Sequence, residues 1–173
     1  FKVFCFTNLS QDHLDYHKSM ETYFKAKSSI LDILRLDTKI IVNIDDEYGK
    51  IFFAEAKNKG FKTKTIGFSD KAEIKLRVTQ VSPDIQFIEI MKGELSYGFQ
   101  THLIGEFQAL NLGMALLTCE EFGFQFEDLV ASCNSLKPVP GRLEFVGKTK
   151  KGASVYIDFA HTPNALKHLL ETL

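Results

Sequence analysis

Between Thr7 and Lys27 the chain reads TNLSQDHLDYHKSMETYFKAK, which places Asp12, His13, Asp15 and His17 within one short stretch and Lys27 on the helix expected to follow. Carboxylates and imidazoles together suit a divalent cation. A lone histidine among carboxylates and phosphate oxygens is compatible with Mg²⁺, which keeps several of its waters. The same residues also suit a polar loop entering a helix, with Asp12 or Asp15 as a cap, and spacing alone does not choose. Lys27 is the sharper anomaly. It falls in line with Tyr23, Ile30, Leu31 and Leu34, where a buried ammonium is costly without a partner. Either the stem covers the core while the charge reaches water, or burial lowers the amine pKa enough for chemistry. A neutral amine can take up CO₂ to become a carbamate, turning a cation into an anionic oxygen ligand.

These residues need a frame, and the hydrophobic pattern supplies one. Val3 to Thr7 is a short apolar run rich in β-formers, expected to be a buried parallel strand that ends in the polar Asn8 to Ser10. Acidic and imidazole groups just beyond the carboxyl end of such a strand stand where open parallel sheets bind ligands. Met20, Tyr23, Phe24, Lys27, Ile30, Leu31 and Leu34 predict an amphipathic helix, with Ser19 as a candidate cap. Lys39 to Ile44 predicts a second buried strand. A helix opens at Asp45-Asp46-Glu47 and ends at Gly60, and Thr63 to Phe68 is a third strand. The grammar then changes to three strands, Ile74 to Val81, Ile85 to Met91 and Leu95 to Leu103, separated by turn residues. That reads as an antiparallel meander. Helices follow over Phe107 to Phe122 and Phe126 to Leu136. Pro138 and Pro140 stop the helical run, strands are expected at Phe145–Val146 and Val155 to Phe159, and Thr162-Pro163-Asn164 opens a last helix.

Composition excludes several classes. A formal net charge of −1 over 173 residues argues against a broad nucleic-acid surface. The lysines at Lys57 to Lys64 and Lys148 to Lys151 read as solvated loops. Cys5, Cys119 and Cys133 sit among apolar neighbours without a C-x-x-C pair, which fits buried thiols in a reducing cytoplasm better than a disulfide framework or a zinc site. No apolar run approaches the ~20 residues that span a bilayer. A cytoplasmic protein that binds no membrane is expected.

The stretch TNLSQDHLDYHKSMETYFKAKSSI resembles a segment of the Mur ligase family, and within it the branch that adds a diamino acid. In that family the histidine of D-H-L-D binds a second Mg²⁺ and the lysine of A-K-x-x-I is carbamylated. The resemblance therefore implies His13 as metal ligand and Lys27 as carbamate. Three further stretches agree. GEFQALN, residues 105 to 111, is similar to the family's G-x-F/H-N-x-x-N element and implies that Asn111 contacts adenine, with Gln108 departing from the first Asn. PVPGRLEFV, residues 138 to 146, resembles the P-x-x-G-R-x-E hinge and implies that Arg142 touches the ATP γ-phosphate, a contact suited to a guanidinium. YIDFAHTPNAL, residues 156 to 166, resembles DYAHTPDAL, which implies that Asp158 binds the ribose and that His161 sits near the nucleotide. Phe159 and Asn164 depart from that signature. The choice of branch rests on DHLDYH and AHTP.

No Gly-x-x-Gly-Lys-Thr loop occurs in these residues, and the family's phosphate loop is expected upstream of Phe1. The chain starts on a strand and stops in a helix, so both ends look cut. The expected fold is α/β: the later part of a P-loop-type parallel sheet domain with an added antiparallel meander, plus the start of a Rossmann-like C-terminal domain. Residues 1–141 are assigned to the central ATP-binding domain, and residues 142–173 to the hinge and C-terminal opening. The implied parent is a monomeric ligase that uses ATP and Mg²⁺ to join a diamino acid to UDP-MurNAc-L-Ala-D-Glu, and the chain alone is expected to be inactive. Two other readings stand beside it. One is a non-catalytic remnant with weak nucleotide binding. The other is a metal-dependent hydrolase using Asp12, His13, Asp15 and His17, which leaves the other three motifs unexplained.

Overall fold

Strands β1 (Val3–Phe6), β2 (Lys39–Asn43) and β3 (Lys62–Gly67) run parallel in that order, with Cys5 opposite Ile41 and Ile41 opposite Lys64. The computed structural model describes residues 1–10 and 17–173. β2 is KIIVN, and Ile40, Ile41 and Val42 are all but inaccessible, as expected for a central parallel strand covered on both faces. Its alternation sorts the core in two. Ile40 and Val42 join Phe6, Phe24, Phe52 and Ala56 on the side of helices α1 (Met20–Ser28) and α2 (Glu47–Asn58). Ile41 joins Ile66, Leu76, Ile88 and Ile90 beneath α3 (Glu106–Glu121) and α4 (Phe126–Ser132) on the other side.

β4 (Ile74–Ser82), β5 (Ile85–Lys92) and β6 (Leu95–Thr101) complete a six-stranded sheet in sequence order. β4 pairs with β3 in parallel only through Ile66–Ile74 and Gly67–Lys75. It thus begins level with the end of β3 and runs on past it, so a short link replaces a helical crossover. The antiparallel meander consequently overhangs the carboxyl edge of β1–β3. After β6 the chain enters α3 from that overhang and returns along the sheet. Gly113 lets α3 approach closely, since a Cβ there would stand 2.7 Å from Ile66 Cδ1. Near the far end of α3, Thr118 reaches Cys5 (Oγ1···Sγ 3.3 Å). The amino end of α3 therefore lies toward the ligand edge of the sheet.

A separate hairpin, β7 (Glu144–Lys148) with β8 (Ser154–Ile157), precedes α5 (Pro163–Thr172). α5 is capped by Thr162, whose Oγ1 accepts from Ala165 N at 3.2 Å. Among the described residues, no helix is long and apolar enough to cross a membrane.

Two helices are shorter than their sequence pattern suggests. α4 gives way at Cys133 to a 3₁₀ turn ending at Ser135, before Leu136. α1 opens with a capping box, Thr22 N donating to Ser19 Oγ (3.2 Å) and Ser19 N to Thr22 Oγ1 (3.3 Å), then becomes 3₁₀ over Ser29–Asp32. This corrects the reading of Lys27. The apolar series was traced across a change of helix type, so burial of Leu31 and Leu34 carries no information about Lys27. Phe24 is the buried residue of α1, and Lys27 is exposed.

Candidate functional site

The carboxyl ends of β1, β2 and β3 are tied together by side chains just after β2. Asn43, nearly inaccessible, donates through Nδ2 to Thr7 O at 2.8 Å, while its Oδ1 accepts from Asp45 N at 2.9 Å. The Asp45 carboxylate accepts from Phe68 N (2.6 Å) and Ser69 N (2.9 Å) beyond β3. Asp46 caps α2, accepting from Gly49 N at 2.9 Å, and also accepts from the backbone of Leu9 and Tyr48. Burial pushes the Asp46 carboxyl above its usual range, and those backbone donors oppose the shift. Sequence reading saw only an acid-rich helix start here. The missed signal was the polar Asn43 ending an otherwise apolar strand.

Thr7 and Leu9, held this way, lead into the segment that carries Asp12, His13 and Asp15, which lie outside the described residues. On its far side, the His17 ring stacks on Tyr23 with centroids 4.6 Å apart. Lys27 Nζ, one turn along α1, lies 5.1 Å from the centroid of the same Tyr23 ring. The amine is thus held by a π-face while open to solvent and dissolved CO₂. Among the described residues, no three His, Cys, Asp or Glu side chains converge as a metal cage. Of the two residues that the resemblance implies for the metal, Lys27 is the one the structure describes, and it stands at the surface.

A second group forms at the base of the hairpin, where the structure brings Arg142, Asp158 and His161 together. Gly141 (φ 70°) and Leu143 (φ 48°) flank Arg142 in left-handed conformations. Leu143 is kept there by burial of its side chain and by donation of its N–H to Asp158 Oδ2 at 2.7 Å. Asp158 Oδ1 accepts from Ala160 N, also at 2.7 Å, so each carboxylate oxygen has one backbone donor and one lone pair left for a ligand. The Arg142 guanidinium lies 5.6 Å from the Phe159 ring centroid, and the His161 ring meets Phe159 edge-on at 5.1 Å. His161 Nδ1 lies 3.0 Å from Phe159 O. A carbonyl only accepts, so Nδ1 is the donor in this contact. Arg142 and His161 are exposed, a cation and a hydrogen-bonding ring facing the same solvent.

Asn111 stands apart from both groups, exposed on α3 about a turn and a half from its start, with Gln108 half-buried one turn before it. The hairpin base thus offers a cation and a carboxylate with spare acceptor capacity side by side, and the Asn111 carboxamide is not brought to them.

Residues 1–119 match the Mur ligase middle domain family. Over all of its length the chain is 35% identical to the UDP-N-acetylmuramoyl-L-alanyl-D-glutamate--2,6-diaminopimelate ligase of Buchnera aphidicola subsp. Acyrthosiphon pisum (strain APS), covering 35% of that protein. It is 38% identical to the ligase of the same name from Aquifex aeolicus (strain VF5), over 99% of the chain and 34% of the relative. A solved structure of a ligase of that name superposes with TM-score 0.78 at 27% identity, covering 99% of this chain and 35% of that one. The chain spans about a third of the length of these relatives.

Proposed function

Because the chain belongs to the Mur ligase family, we propose that it is the later part of the central ATP-binding domain (residues 1–141) and the hinge and opening of the C-terminal domain (residues 142–173) of a peptidoglycan-precursor ligase. Its parent joins a diamino acid to UDP-MurNAc-L-Ala-D-Glu in the cytoplasm, as a monomer that binds neither nucleic acid nor membrane. The relatives' name points to 2,6-diaminopimelate as the amine. The observation that carries this reading is the match to those ligases along essentially the entire chain, hinge included.

The reaction needs a carboxylate made reactive by ATP. Phosphoryl transfer to the substrate carboxylate gives an acyl phosphate, and attack by the amine then expels phosphate through a tetrahedral intermediate. Positioning and charge neutralisation supply most of the catalysis in such transfers. Bound Mg²⁺ would neutralise phosphate charge. Lys27, after adding CO₂ to its amine and releasing a proton, would help hold it together with His13. Arg142 would reach the γ-phosphate, kept in direction by the two left-handed residues on either side. Asn111 would contact the adenine, Asp158 the ribose through its spare lone pairs, and His161 would lie beside the nucleotide. The metal-hydrolase reading falls away with the family assignment.

The test is phosphate release by the full polypeptide that carries these residues, with ATP, Mg²⁺, UDP-MurNAc-dipeptide and diaminopimelate. Release should require both acceptor substrates. Lys27→Arg keeps the charge but cannot form the carbamate, so it should lower the rate at least 100-fold and abolish the carbamate ¹³C signal seen with labelled bicarbonate. Phosphate release indifferent to both substrates would sink the reading.

A further inference from the structure

β5 alternates in the usual way, with Ile88 and Ile90 facing the core beneath α3 while Phe87 and Glu89 face away. The next position on the inward face is Gln86, a carboxamide with no accessible surface. A polar side chain at a core register is costly unless its hydrogen bonds are made. Gln86 makes three, all to one short stretch of backbone. Nε2 donates to Leu103 O at 2.6 Å and to Gly105 O at 3.3 Å, and Oε1 accepts from Gly105 N at 2.9 Å. Its orientation is not free to flip, because a backbone N–H needs the oxygen and a carbonyl needs the nitrogen.

Gly105 is the N-cap of α3, with φ 98° and no side chain of its own to cap the helix. Its carbonyl accepts from Gln108 N and Ala109 N, both at 3.1 Å, which begins the helical ladder. Gln86 therefore grips the capping peptide on both sides from within the sheet. Thr101, its Cα partner on β6 and likewise buried, adds a second hold, Oγ1 accepting from Leu103 N at 3.2 Å. Together they set the height and rotation of the first turn of α3, and with it the direction of Gln108 and Asn111.

On the reading of Asn111 as an adenine contact, we infer that Gln86 is a positioning residue for nucleotide binding. It touches no ligand. It acts through Gly105 and the first turns of α3, and Thr101 supports it.

The test is a double-mutant cycle in the full polypeptide, reading KM for ATP, kcat, and KM for the amine substrate. Gln86→Leu leaves the Gly105 N–H and the Leu103 carbonyl without partners. It should raise KM for ATP about tenfold, with kcat and the amine KM changed less than twofold. In an Asn111→Ala background the same substitution should raise KM for ATP less than twofold, because the residue it positions is gone. If Gln86→Leu does not fold, Thr101→Val decides, with an expected two- to threefold rise in KM for ATP that is likewise lost in the Asn111→Ala background. Equal effects in both backgrounds, or a loss of thermal stability with KM for ATP unmoved, overturn the positioning role. An Asn111→Ala enzyme with an unchanged KM for ATP instead overturns the adenine contact itself.

Discussion

The sheet body and the C-terminal hairpin are held by opposite means. In the body, Ile41, Val42, Phe52, Ile66, Ile88 and Leu117 show no accessible surface, with one apolar layer beneath α3 and α4 and a second between β1–β2 and α1–α2. In the hairpin, Val146 (57%), Ile157 (51%) and Phe159 (65%) are exposed, and apart from buried Leu143 and the Phe145–Tyr156 ring contact, order rests on point contacts. Asp158 grips Leu143 and Ala160, Glu144 accepts from Gly141 N, and Tyr156 donates to Pro83 O at 2.7 Å. The body buries enough apolar area to define itself, whereas the hairpin is aimed by a few polar links. That division lets the hairpin open locally without unfolding the body.

The sharpest way to break this contrast is to make comparable truncations in both regions. Leu76→Ala removes a nearly inaccessible side chain that packs beneath Gly113 of α3, and should cost about 3 kcal/mol in urea unfolding. Val155→Ala in β8, where the side chain is 41% exposed, should cost no more than about 0.5 kcal/mol. Similar losses at the two positions would mean that the hairpin is part of the same cooperative core.

The division also explains what was legible from the sequence. The body's strands could be read because apolar runs such as KIIVN and the alternation of β4–β6 stand out along the chain. The polar links could not, because an Asn43 or Gln86 looks like any other amide until its register is known. Lys27 lies off the buried stripe for a related reason, since the helical period of the apolar residues does not hold beyond Ser28, where the backbone tightens. Motif resemblance singles out Arg142, Asp158 and His161 as candidates, and the structure adds that they share one hairpin base. The support of Arg142 by left-handed Leu143 left no trace in residue type, because a leucine rarely takes that conformation.

A middle-sized effect sharpens the comparison from the hairpin side. A left-handed leucine costs about 1–2 kcal/mol, and the Asp158 link to Leu143 N helps to hold it. Asp158→Ala should therefore loosen the hairpin locally, by about 1–2 kcal/mol, while leaving the body intact. Hydrogen exchange would show faster exchange at the Leu143 and Ala160 amides, with Ile41 and Ile88 unchanged. Global unfolding on this substitution would contradict the division.

The smallest effect lies at the far end of α3, where the body too relies on polar links. Glu120 and Glu121 end this helix, where its macrodipole disfavours negative charge. Lys64 of β3 meets both, at 3.3 and 2.7 Å, and Lys92 of β5 meets Glu120. Burial pulls the Lys64 ammonium down, but hydrogen bonds and charge from the two glutamates outweigh it, leaving the pKa raised. A cation whose folded pKa lies above its unfolded value, about 10.4, stabilises fully below that value. The contribution is lost as pH rises through the folded pKa. Lys64→Met should thus cost about 1 kcal/mol or less at neutral pH, after solvent screening, and the difference from the parent should close as pH rises through the raised folded pKa. Lys150→Met, on the exposed hairpin turn, should change stability by less than about 0.5 kcal/mol at neutral pH. A Lys64 penalty that persists into alkali would locate its worth in the packing of its stem rather than in its charge, and would make the body apolar even at its rim.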